Sequence, residues 1–132
     1  VLEGKSMTED EIVYGKRQSP EVMRLLDRMA EEGNSKIRQR GIARGFVCVQ
    51  ERFNELILQC ETDLYWASIE TNLSKRAAHL RKADAGMREI GIVIRYMLKN
   101  KALTVGEVGV ISKYKKEVMA QLYRWQNSLH EK

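Results

Sequence analysis

The sequence has a single proline, Pro20, and few aromatic residues, 7% of the chain. No run approaches the roughly 20 apolar residues of a membrane span, and no secretory signal opens the chain. We therefore expect no membrane partner. Scarce proline, together with long charged stretches that carry regularly spaced apolar positions, indicates an all-α protein.

Cysteine is also scarce: Cys48 and Cys60 are the two in the chain, twelve residues apart. On one helix they would lie about 18 Å from each other. A disulfide needs Cα atoms within about 7 Å, so such a pair cannot bridge. Free thiols are typical of a reducing compartment, and we expect an intracellular protein of the cytosol or nucleus.

The 132 residues carry a net charge of +5, which is unevenly distributed. Residues 1–34 hold five basic and eight acidic side chains, whereas residues 35–132 hold 18 and ten. The basic part favours polyanions or acidic partners. We expect a flexible leader or short turn over 1–18, then one helical-bundle domain over 19–132. Because the chain starts at Val1, we expect it to be a fragment of a longer protein.

The stretch after Pro20 predicts a short helix over residues 20–32. Its apolar positions follow the i, i+3, i+4, i+7 spacing of one buried stripe: Val22, Leu25, Leu26 and Met29. Gly33 can supply a left-handed cap, so we expect the helix to end there.

A second helix is predicted by apolar residues spaced 4, 3, 4, 3, 4: Ile42, Phe46, Val49, Phe53, Leu56 and Cys60. This heptad seam predicts a helix over about 35–70. No glycine or proline marks its end. We favour a break near 70–73, and the alternative is one long helix from 62 to 100.

Two further seams complete the predicted fold. The third follows Leu73, Ala77, Leu80, Asp84, Met87, Gly91, Ile94 and Leu98; the fourth follows Val108, Ile111, Lys115, Val118, Leu122, Trp125 and Leu129. Thr104 and Glu107 form a capping box that starts the fourth helix. We expect an antiparallel bundle of three long helices, about 35–70, 73–100 and 104–131, with the short helix 20–32 docked outside.

The stretch "LTVGEVGVISKYKKEV" allows another interpretation of the fourth helix. A Thr-capped short helix, a glycine turn at Gly109 and a basic second helix resemble a helix-turn-helix unit. Lys115 then falls where the second helix needs an apolar anchor, whereas the continuous seam accounts for the same residues with one helix.

Catalytic and metal-binding patterns are lacking. The sequence has no Gly-rich phosphate loop, HExxH, CxxC or nucleophile elbow, and its two histidines lie about 50 residues apart without cysteines at ligand spacing. We expect no cofactor and no metal. Asp84 and Lys115 are the polar residues within seams; they fix helix register, or they form a Lys–Asp pair in a small helical-bundle enzyme, the most distant alternative.

Two sets of residues are candidates for binding. Basic residues at helical spacing can hold nucleic acid or an acidic partner: Lys36, Arg40, Arg44, Arg81, Arg88 and Arg95. Apolar residues outside the seams can bury a partner: Ile37, Val47, Ile92 and Val93. The sequence therefore predicts a non-enzymatic helical interaction module that docks on a protein or self-associates, within a nucleic-acid-handling or virus-like assembly. Direct DNA or RNA binding through a basic helical face is the alternative.

Overall fold

The structure is a computed structural model that describes residues 21–40 and 46–130, without the side chains of 38–40 and 130. The described residues form four helices: α1 (Glu21–Arg40), α2 (Val47–Ile69), α3 (Leu73–Lys99) and α4 (Val105–His130). The described residues contain no strand, so the predicted all-α class is confirmed. The predicted leader over 1–18 and the seam position Ile42 lie outside the described residues.

The four helices form a bundle in which each one packs on two others. The most extensive contacts join α2 to α3 and α1 to α4. Neighbouring helices run antiparallel, because residues late in one helix meet residues early in the next: Gly33 with Phe53, Cys60 with Ala83, and Gly91 with Lys115. Apolar residues from all four helices fill the centre, the largest of the fully buried ones being Phe53, Leu26, Met29, Leu64, Leu80 and Met87.

The predicted end of the first helix is wrong. Helix α1 continues through Gly33 to Arg40, and α2 begins at Val47, so neither the short helix 20–32 nor the helix start at 35 is observed. Gly33 is a packing glycine: a Cβ atom there would lie 2.7 Å from Cε2 of the Phe53 ring. Ile37, four residues later on the same face, is buried in the core. The first helix is therefore a member of the bundle.

The two later helix boundaries are confirmed. Helix α2 ends at Ile69, and the side chain of Asn72 caps α3 by accepting a hydrogen bond from the Lys75 amide at 3.0 Å. Thr104 and Glu107 form the predicted capping box, in which each side chain accepts a hydrogen bond from the other residue's amide. Both signals involve residues within one helical turn, which is why sequence alone reveals them.

The core-facing stripe of α3 differs from the predicted seam. Leu80, Met87 and Ile94 are buried as predicted, but their partners are Ala83, Ile90 and Met97. Asp84 and Gly91 lie one residue further round, on the flank that faces α4. This register buries Ile90 where the predicted seam placed a glycine, and it leaves the Asp84 carboxylate partly in water.

The helix-turn-helix interpretation is wrong. Residues 105–130 form one continuous helix, and neither Gly106 nor Gly109 interrupts it. Both glycines lie on its exposed side, where a Cβ atom would meet nothing within 4 Å. The continuous apolar stripe of Ile111, Val118 and Leu122 is fully buried and holds the helix against the core.

Candidate functional site

A groove runs along the outer side of the α2–α3 interface, and one ion pair crosses it. The guanidinium of Arg52 on α2 lies 2.9 Å from the carboxylate of Glu89 on α3. On one side of this pair lies an apolar segment of about 310 Å³, and on the other lies a mixed segment of about 590 Å³. Arg52 lines both segments and stands at the boundary between them.

The apolar segment exposes hydrophobic side chains from both helices. Apart from Arg52, it is lined by Cys48, Val49, Ile92, Val93 and Tyr96. Ile92 is 66% exposed and Tyr96 is 51% exposed, although both are large. Single exposed apolar residues are ordinary, but several that line one concave surface make it a candidate interaction site.

The mixed segment contains a buried carboxylate. Asp63 is buried among α2 and α3 and accepts a hydrogen bond from the side-chain amide of Gln59 at 3.3 Å. Next to it, the buried Cys60 thiol donates to the carbonyl of Ala83 across the interface. Burial, reinforced by the carboxylates of Asp63, Glu61 and Glu89, raises the pKa of Cys60 to about 12. This thiol stays protonated at neutral pH, as its seam position predicts for a small hydrophobe.

A pair of carboxyl groups, Glu61 of α2 and Asp27 of α1, lies on the side of α2 that faces α1. Burial raises the pKa of Glu61 to about 8, and a side-chain hydrogen bond to Asp27 and the charge of Asp27 reinforce this shift. This shift favours the protonated carboxyl of Glu61, the form that can donate a hydrogen bond to Asp27. Sequence reasoning missed this pair, because Glu61 adjoins a core cysteine in the sequence and nothing local marks Asp27 as its neighbour.

The predicted arginine series is found on one edge of α3. Arg81 lines a groove of about 290 Å³ between α3 and α4, and Arg88 and Arg95 follow at seven-residue intervals on the same edge. All three are exposed. Arg88 pairs with Asp84 at 3.1 Å.

The suggested Lys–Asp catalytic pair receives no support from these contacts. The Asp84 carboxylate is engaged by Arg88. Lys115 lies instead across Gly91, with its Cε and Nζ atoms 3.1 and 3.3 Å from where a Cβ of that glycine would stand. Its ammonium group therefore lies in the α3–α4 groove, on the side where the α3 arginines are.

The other predicted basic residues are not assembled into a described surface. Lys36 is half-buried near the end of α1. The side chain of Arg40 and all of Arg44 lie outside the described residues. The predicted basic face of Lys36, Arg40 and Arg44 therefore lies largely outside the described residues.

Of the four predicted partner-binding residues, the structure brings two together. Ile92 and Val93 line the apolar segment. Ile37 is 3% exposed and belongs to the core, so its assignment to a partner surface is wrong. The sequence prediction assigns Ile37 to the second helix, outside its apolar seam, whereas the structure has it on α1, where it faces the core. Val47 is exposed at the start of α2 but does not line the groove.

No protein-family model and no curated protein matches the sequence. The arrangement of the side chains is therefore the basis for any functional argument. None of the four described helices has the length and apolar character that crossing a bilayer requires. Within the described part of the chain, no three His, Cys, Asp or Glu side chains are grouped so that they can hold a metal ion.

Proposed function

We propose that this protein is a non-enzymatic helical interaction module that self-associates by docking its α2–α3 face on a second copy of the chain. The observation that carries this proposal is the apolar segment of the groove, where Ile92 and Tyr96 stand exposed beside Cys48 and Val49. Covering these side chains removes apolar surface from water, which is the main favourable term in association.

Trp66 supports the choice of a second copy as the occupant. Arg52, Gln59 and Trp66 follow one another at seven-residue intervals, and the first two line the groove. Trp66 therefore lies on the same edge of α2, and it is 49% exposed. Exposed tryptophan is the residue type most enriched among interface residues that dominate binding energy.

The positions of these groups fit a two-fold axis. If a second copy lies antiparallel across the face, with the axis near Ala85, Trp66 of each copy lies over the apolar segment of the other. Trp66 and Val49 lie about equally far along α2 from the point opposite Ala85. The small side chain of Ala85 permits close approach on the axis.

The charges on α3 fit the same arrangement. Lys82 and Glu89 both line the groove, three and four residues on either side of Ala85. The axis therefore places Lys82 of each copy opposite Glu89 of the other, which is an isologous, charge-complementary contact. If the two α3 helices were instead aligned parallel, Lys82 would face Lys82 and Glu89 would face Glu89, so like charges would be opposed.

The size of the face suffices for a dimer. Helix α2 is about 35 Å long at 1.5 Å per residue, and two helices side by side are roughly 20 Å wide. The face therefore offers roughly 700 Å² per copy, close to the roughly 800 Å² per partner of a standard interface.

The groups closest to a catalytic arrangement have other roles, which supports the non-enzymatic assignment. The Cys60 thiol is buried and protonated, and Asp84 pairs with Arg88. The exposed free thiol of Cys48 suits a reducing intracellular compartment, cytosol or nucleus. The net positive charge suits a setting in a nucleic-acid-handling or virus-like assembly.

Sedimentation velocity over a range of protein concentrations tests the proposal. The wild-type chain should dimerise, and Ile92→Gln and Trp66→Ala should each shift it towards monomer. Val105→Gln is the matched control, because Val105 is an exposed apolar residue on α4, away from the groove. A wild-type chain that stays monomeric at every concentration would overturn the second-copy assignment, and so would equal loss of dimer in the control.

A further inference from the structure

The α3–α4 side of the bundle is a second, chemically different surface. Helix α3 carries seven basic and two acidic side chains, a net charge of +5, and α4 carries four basic and two acidic ones, a net charge of +2. By contrast, α2 carries one basic and four acidic side chains, a net charge of −3. The positive charge of the described helices is therefore concentrated on one half of the bundle.

Within that half, four basic side chains lie on or beside the edge of α3 that faces α4. Arg81, Arg88 and Arg95 line the α3 edge at intervals of about 10.5 Å. From the opposite side, Lys115 of α4 reaches across Gly91, which lies between Arg88 and Arg95 along α3. An added Cβ at Gly91 would meet the lysine stem at 3.1 Å, so the missing side chain makes room for this cation in the groove.

At the Arg81 end, the groove is lined by residues of mixed chemistry, and further along the same edge Arg88 is paired with the Asp84 carboxylate. The pocket there is lined by Arg81 together with Tyr123, Gln126 and Asn127 of α4. Tyr123 is 66% exposed, so one face of its ring is accessible. The two amide side chains beside it each present a donor and an acceptor.

We infer that the α3–α4 groove binds single-stranded nucleic acid, with Arg81, Arg88, Arg95 and Lys115 on the phosphates and a base stacked on Tyr123. Single strands are held by a positively charged groove combined with aromatic platforms, and this groove has both. Gln126 and Asn127 are placed to hydrogen-bond the edge of the stacked base.

The aromatic and amide groups favour a single strand over the other polyanions. An acidic helix pairs with arginines and needs no stacking surface. A duplex keeps its bases within the stack and presents its phosphates outward, so Tyr123 has no ring to contact. No residue that lines the pocket beside Arg81 and Tyr123 also lines the α2–α3 groove, so different variants test this inference and self-association.

Fluorescence anisotropy with labelled oligouridylate and oligothymidylate tests the inference in the full chain, at about 50 and about 200 mM salt. The wild type should bind both strands, more weakly at the higher salt. Arg81→Gln/Arg95→Gln should flatten the log–log salt dependence by about 1.4, since each phosphate contact of a single strand contributes about 0.7. Gln keeps helix propensity nearly unchanged, and circular dichroism verifies the fold.

The matched control removes two charges from the opposite edge of α4. Lys113 and Arg124 are exposed and lie eleven residues, about three turns, apart. Neither residue lines the pocket beside Arg81 and Tyr123. Lys113→Gln/Arg124→Gln should leave the slope close to that of the wild type. An equal flattening in this control would mean diffuse attraction and would overturn the site.

Tyr123 distinguishes a nucleic acid from any other polyanion. Tyr123→Ala should weaken single-strand binding about five- to 150-fold, whereas Tyr123→Phe, which keeps the stacking face, should bind like the wild type. A polyglutamate peptide and a duplex of equal length are the competitors. If polyglutamate competes as well as a single strand and Tyr123→Ala has no effect, the ligand is an acidic protein. Absence of single-strand binding at the lower salt overturns the inference outright.

Discussion

Gly33 of α1 lies directly against the ring of Phe53 of α2. The Cβ atom of any other residue at 33 would lie 2.7 Å from Cε2 and 2.8 Å from Cζ of that ring. Phe53 is fully buried, so its ring has no free space into which it can move. The close approach of the first two helices therefore depends on the missing side chain at 33.

Gly33→Ala should destabilise the fold by about 1–3 kcal/mol, as overpacking does in other cores. This loss opposes the gain of about 1 kcal/mol that replacing a mid-helix glycine normally brings. Gly109→Ala is the control, because a Cβ there meets nothing within 4 Å. It should be stabilising by about 0.5–1 kcal/mol. Urea unfolding of both variants measures the difference, and a stabilising Gly33→Ala would contradict the observed contact.

Phe53→Ala should cost about 3–5 kcal/mol, since it removes a fully buried ring at the centre of the bundle. The cavity left behind adjoins Gly33, whose lack of a side chain leaves nothing to fill it. Chemical denaturation measures the loss. A cost below about 1 kcal/mol would mean that the ring contributes little to packing, contrary to the contact geometry.

Whether the sequence predicts a feature of this fold depends on how far apart in the chain the interacting residues are. The capping box joins Thr104 and Glu107, which are three positions apart, and the structure confirms it. Gly33 was misassigned as a helix end, because the reason for a glycine there is Phe53, twenty residues away. On α3, Ala83 and Asp84 both fit a 3–4 spacing with Leu80, and only the positions of the neighbouring helices decide between them.

The candidate surfaces show the same contrast between features set by neighbouring residues and features set by residues distant in the chain. Sequence indicated that Ile92 and Val93 lie outside a seam, and both line the α2–α3 groove. It could not place Cys48 and Tyr96 beside them, since these residues meet only through the antiparallel pairing of two helices. Likewise, the seven-residue series of Arg81 was visible, but its position opposite Tyr123 was not.

The two cysteines should differ sharply in reactivity. Cys48 is exposed, whereas Cys60 is buried and burial raises its pKa to about 12. A thiol reagent at about pH 8 should therefore modify one thiol per chain in the native protein and both after unfolding. Cys48 lines the apolar segment, so its modification should slow as protein concentration rises if the groove is covered by a second copy. Mass spectrometry identifies the modified residue, and rapid modification of Cys60 in the native state would contradict its burial.

Glu61 should make stability depend on pH in a predictable direction. Burial and the hydrogen bond to Asp27 raise its pKa to about 8 in the folded protein, against an ordinary value of 4.5. The folded state therefore holds this proton more tightly than the unfolded chain does. The stability that it contributes is fully present below about pH 4.5, falls as the pH rises, and is lost above about pH 8.

Glu61→Gln isolates this contribution, because glutamine keeps a hydrogen-bond donor towards Asp27 and does not ionise. Compared with the wild type, the variant should gain in relative stability as the pH rises through the window from about 4.5 to about 8. Thermal melts of both proteins at matched pH values measure the difference. Glu55→Gln, which removes an exposed carboxylate beside Arg52, is the control against which the pH dependence of the Glu61→Gln difference is compared. If the Glu61→Gln difference varies with pH no more than that of the control, Glu61 is ionised in the interface and does not donate to Asp27.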